Sequence, residues 1–82
     1  MPYIKQPNRI TFDEPIRQLN PKNAGELNYI ISKLMLKYIG KDINYQKCND
    51  VTGALECSKM EIYRRFVAPY EEIKIKENGD II

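Results

Sequence analysis

The chain has 82 residues, room for one small domain with a thin core. Hydrophobic residues make up 43% and charged residues 29%, a balance that argues for a globular chain and against disorder throughout. The net charge of +2 is too small to point to nucleic acid by itself, and histidine is absent. Without histidine, Ser-His and Cys-His nucleophilic chemistry and a Cys/His zinc site are excluded.

Charge is mildly uneven along the chain. Residues 1–41 hold 7 Lys/Arg and 3 Asp/Glu, residues 42–82 hold 6 and 8, so the halves differ in sign and favour head-to-tail docking. No apolar run is long enough to span a membrane, and no signal-peptide core follows Met1. The cytoplasm is therefore the expected compartment. Cys48 and Cys57 suit it as free thiols: on one helix they stand about 13 Å apart along the axis, too far for a disulfide.

Residues 1–21 contain Pro2, Pro7, Pro15 and Pro21, each of which removes a backbone donor and biases its predecessor to extended geometry. The expectation is an extended proline-rich arm over 1–21, with at most one helical turn from Asp13 to Leu19. Tyr3, Ile4, Ile10, Phe12, Ile16 and Leu19 equip it to pack on a helical domain over 22–82.

The first long helix is expected from about Lys22 to Ile39, capped by Asn20 or Asn23 and stopped by Gly40. Leu27, Ile30, Ile31, Leu34 and Tyr38 form its apolar stripe. Tyr29 and Leu36 lie on the opposite side, and apolar groups on two sides of a helix call for more than one packing partner.

The second helix is expected to start between Asp42 and Asp50 and to end near Ala68, ahead of Pro69. Its stripe is Cys48, Val51, Leu55, Ile62 and Phe66, with Ser58 completing the spacing. A short third helix then starts at Pro69, with Glu71 and Glu72 at its positive end, Lys74 and Lys76 towards its negative end, and Gly79 as cap. A strand over Ile73–Lys76 with an Asn78-Gly79 turn is the competing reading, but too few residues follow for a return strand. The fold class is all-α: a helical hairpin, a short third helix and the arm. Two such helices cannot cover both faces of the first, so a homodimeric four-helix-type bundle is expected.

No catalytic or binding motif is complete. The carboxylates Glu26, Glu56, Glu61 and Glu72 offer the oxygen ligands that Mg²⁺ takes, as in helical MazG-like nucleoside triphosphate pyrophosphohydrolases, the enzyme alternative. Glu56 and Glu61 are rotated by about 140° on one helix, so a shared ion needs ligands from another helix or subunit. The simpler reading pairs Glu61 with Arg65 and Glu56 with Lys59 along a solvated face. Arg64 and Arg65, with Lys22 and Lys59, give a weak nucleic-acid alternative, but adjacent helical arginines diverge by about 100° and the basic residues form no stripe. Nucleic acid and membrane are therefore not the expected partners.

The six tyrosines fall mostly at stripe edges, where a ring buries and its hydroxyl finds a partner. Tyr29, Leu36, Tyr63, Arg64 and Tyr70 are the candidate interaction surface. The leading expectation is a non-enzymatic interaction or accessory protein, without cofactor, that forms a homodimer and engages a protein partner.

The opening MPYIKQ, the run GELNYIISKL and the block GALECSKMEIYRRFVAPYEEIKIKENGDI resemble a family of short, uncharacterised phage and bacterial proteins. That family closes in a block like ALECxKxExYRRxxAPYExxKxxENGD. The resemblance covers most of the chain and is densest from Gly53 to Asp80. It implies a stand-alone small protein and assigns no functional residue.

Overall fold

The computed structural model describes residues 3–82, so Met1 and Pro2 of the expected arm lie outside the described residues. It is all-helical, with no strand among those residues. A 3-10 turn (Gln6–Asn8) leads into α1 (Ile10–Arg17); α2 (Ala24–Ile39) and α3 (Tyr45–Ile62) follow, then a π-helical segment (Tyr63–Val67) and α4 (Ala68–Asn78).

The extended arm is thus corrected over much of its length. Pro7 occupies one of the first two positions of the 3-10 turn, where no N–H is needed. In an eight-residue helix Pro15 removes only the bond its N–H would have made to the Thr11 carbonyl. The Glu14–Arg17 pair at 3.1 Å and 3-10-type bonds from Gln18 and Leu19 then close α1. Among the described elements α1 touches only the turn before it; Tyr3 and Arg9, further upstream, are the residues that lie along α3.

The start of α2 is defined by Asn23. Its Oδ1 accepts the Glu26 backbone N–H at 2.8 Å, while Glu26 Oε1 accepts the Lys22 N–H at 3.0 Å, a reciprocal cap. Gly40 ends it at φ 72°, ψ −155°, a region essentially restricted to glycine. Asn44 repeats the device for α3, accepting from the Lys47 N–H at 2.8 Å. Between these two signals the chain reverses, and α2 and α3 form the expected hairpin.

The proline break is the second correction. Val67 and Ala68 keep right-handed helical angles, and the chain runs on as one rod from Tyr45 to Asn78. The π segment explains how. Pro69 has no N–H for the Arg65 carbonyl, and its ring crowds that carbonyl. One extra residue in the turn relieves the crowding, and the Ala68 N–H reaches back to the Tyr63 carbonyl in a wide i→i+5 bond. At about 1.5 Å per residue the rod is about 50 Å long, matching the 50 Å long axis of the molecule. The strand alternative over Ile73–Lys76 is replaced by helix.

The hairpin does not close a core. Among the described residues none is buried. The Cα radius of gyration is 16.4 Å, where a compact chain of this length has about 12 Å. Accessible surface is 7802 Å², against about 5,100 Å² for a folded monomer of this mass.

Candidate functional site

Two open clefts flank α3. One lies between α2 and α3, about 490 Å³, with Ile31, Leu34, Met35, Val51 and Leu55 supplying its apolar lining. At its rim the Tyr38 hydroxyl donates to Asp50 Oδ2 at 2.7 Å, and Gln46 Nε2 donates to Asp50 Oδ1 at 2.8 Å. The bond to Asp50 holds the Tyr38 phenol above its ordinary pKa. The bonds from Tyr38 and then Gln46 hold the Asp50 carboxyl below its own. This pair joins α2 to α3 and was missed in the sequence, where Tyr38 and Asp50 belong to separate elements.

The other cleft, about 730 Å³, lies on the adjoining side of α3 and shares Ala54 and Ser58 with the first. It runs between Gly53, Cys57, Glu61 and Ile62 and the upstream Tyr3 and Arg9. Cys57 on this side is exposed and Cys48 half-buried, both as free thiols.

The five candidate interface residues are all exposed but do not form one patch. Tyr29 and Leu36 share one side of α2, and Lys33 sits 5.5 Å over the Tyr29 ring. Tyr63, Arg64 and Tyr70 lie on the π segment and α4, which α2 does not reach among the described residues. Tyr63 donates to Glu71 at 3.0 Å across the bulge, so its phenol too is raised, and Lys74 stands 5.5 Å over Tyr70.

A longer feature is an apolar line along the rod. Cys48, Val51, Leu55, Ser58 and Ile62 share one side of α3. The extra residue of the π turn sets the downstream face back by about 100°, which returns Phe66 and Tyr70 to that line and turns Ile73 to about 80° from it. In a regular helix Tyr70 would stand about 80° off. Phe66, Tyr70 and Ile73 are 65%, 59% and 53% exposed. Ile73 was not among the residues singled out, because a break at Pro69 hides the continuity.

The four carboxylates of the magnesium alternative are not assembled within the chain. Among the described residues no three Asp, Glu or Cys side chains are placed to hold a metal ion. Glu26 serves the α2 cap, Glu56 pairs with Lys59 at 3.1 Å, and Glu61 engages Arg64 at 2.9 Å and Arg65 at 3.3 Å. The Glu56–Lys59 and Glu61–Arg65 pairs follow the expected (i, i+3) and (i, i+4) spacing. Arg64 joins Glu61 as well, and the Glu61 side chain is only 20% exposed rather than solvated. Arg64 and Arg65, the two arginines of the nucleic-acid alternative, share Glu61 and stay largely exposed. No helix among the described residues is long and apolar enough to cross a membrane.

Fold and surface together define a helical hairpin whose second arm overhangs as a rod bearing an uncovered apolar line. The chain belongs to the family described as a domain of unknown function (DUF6899), whose model matches residues 1–81. No curated protein and no solved structure matches it.

Proposed function

We propose that this protein is a non-enzymatic interaction protein that works as a homo-oligomer, its helical surface covered first by a second copy of itself. The observation that carries this reading is the missing core: no described side chain is buried, although the chain holds 43% hydrophobic residues. Apolar surface left in water forgoes about 25 cal/mol per Å², and a small domain has little other stabilisation to draw on. The excess over a compact monomer is about 2,700 Å² per chain, or about 5,400 Å² for a pair, at the upper end of what obligate dimers bury. Tyr29, Leu36, Tyr63, Arg64 and Tyr70 are then divided between the self-interface and a face left for a further protein partner.

The magnesium-dependent pyrophosphohydrolase reading gains no support from the geometry, since three of its four carboxylates are engaged on their own helices. Sedimentation velocity over a hundredfold range of concentration tests the proposal. The expected result is a species of twice the 9.6 kDa chain mass that persists on dilution. A compact 9.6 kDa particle at every concentration contradicts it. Pyrophosphate release from a nucleotide panel with Mg²⁺, lost in Glu56→Gln, contradicts the non-enzymatic part.

A further inference from the structure

α2 has 16 residues and so covers about 24 Å of a rod about 50 Å long. The uncovered half of the rod is as long as α2 itself. It carries Ile62, Phe66 and Tyr70, in line with the residues that face the α2–α3 cleft, with Ile73 on their flank.

We infer that two copies pair with their rods antiparallel, so that the α4 line of each seats in the α2–α3 cleft of the other. This rests on the self-association proposed above and specifies its geometry. The two ends of the rod carry opposite charge. Around the hairpin loop Lys33, Lys37, Lys41 and Lys47 outweigh Asp42 and Asp50. Beyond Tyr70, Glu71, Glu72, Glu77 and Asp80 outweigh Lys74 and Lys76. An antiparallel pair sets the basic loop of one copy beside the acidic end of the other, whereas a parallel pair sets like beside like.

The register follows from the rod. Its midpoint falls near Ile62. Leu55 stands seven residues before that point and Tyr70 eight after, one of which the π turn absorbs. A two-fold axis at Ile62 therefore brings Leu55 of one copy against Tyr70 of the other, and Ile62 against its own equivalent. The arrangement is isologous and closed, and it fills each apolar cleft with aromatic side chains.

Cysteine trapping reads this directly. In a Cys48→Ala, Cys57→Ser background, Leu55→Cys and Tyr70→Cys chains are unfolded together, refolded and treated with a short bis-maleimide. The expected product is a covalent dimer from the mixture and none from either variant alone, while Ile62→Cys cross-links to itself. A covalent dimer from Tyr70→Cys alone, or none from the mixture and none from Ile62→Cys while the variants sediment as dimers, overturns the antiparallel register and leaves self-association standing. A parent chain that sediments as a monomer, its cleft closed by its own α1, sinks the underlying reading instead. Ile62→Cys is the milder substitution and serves as the second probe if Tyr70→Cys does not refold.

Discussion

Tyr38 and Asp50 carry the hydrogen bond that joins α2 to α3, and its titration gives the hairpin a pH signature at both ends. Asp50 is held below the ordinary aspartate value of 3.8, so its contribution is complete above that pH and is lost as pH falls through the lowered value. Tyr38 is held above the ordinary tyrosine value of 10.0, so its contribution is complete below pH 10 and is lost as pH rises through the raised value. Tyr63, bonded to Glu71, moves in the same direction. Thermal melts followed by circular dichroism are expected to be level from about pH 5 to 9 as far as these groups are concerned, and to fall at both extremes. Tyr38→Phe is expected to soften both limbs, because it removes a donor from Asp50 as well as the phenol. Unchanged limbs in that variant would show that Tyr38 and Asp50 do not sense each other. The helix caps were legible at this scale, since Asn23 and Gly40 announce their roles by residue type alone. The Tyr38–Asp50 bond was not, because nothing local places two residues of separate helices together.

Among the elements, the π segment decides most. It lets the rod continue past Pro69 and keeps Phe66 and Tyr70 in line with Leu55 and Ile62. The sequence contains both the apolar spacing and the proline, and the usual grammar of helix ends reads the proline as a start. What that grammar omits is that one inserted residue relieves the clash at the Arg65 carbonyl without ending the helix. α1 escaped for a related reason: two prolines argue against helix, but Pro7 sits where a first turn tolerates it and Pro15 costs a short helix one bond. By contrast α2 was readable almost to the residue, because its stripe, cap and glycine agree. Pro69→Ala tests the role given to the bulge. Alanine is favoured over proline by about 3 kcal/mol within a helix, so helicity is expected to hold or rise. The regular turn then swings Tyr70 off the apolar line by about 80°. Losing the burial of one or two aromatic rings, at roughly 1.5–3 kcal/mol each, is expected to weaken self-association at least about tenfold by sedimentation. Tighter association would show that the bulge does not set the phase of the interface.

At the scale of the molecule, the sequence signalled more apolar surface than a two-helix hairpin can hide, and the structure gives that surplus a shape. The surplus is not a general greasiness but a line along α3 and α4 and a cleft beside it, with basic and acidic ends opposed. Of the candidate surface named from sequence, Tyr70 lies on that line and Tyr63 lies in the bulge, bonded to Glu71. Tyr29 and Leu36 lie on the other face of α2, and no described contact joins the two sets. If the second copy supplies the core, folding and association are one equilibrium, and stability must depend on concentration. Urea unfolding followed by circular dichroism at several protein concentrations measures this most directly. The account predicts a midpoint that climbs with concentration, the apparent stability rising by about 1.4 kcal/mol for each tenfold increase. A single cooperative transition at the same urea concentration throughout would mean that one chain folds unaided, and would contradict it.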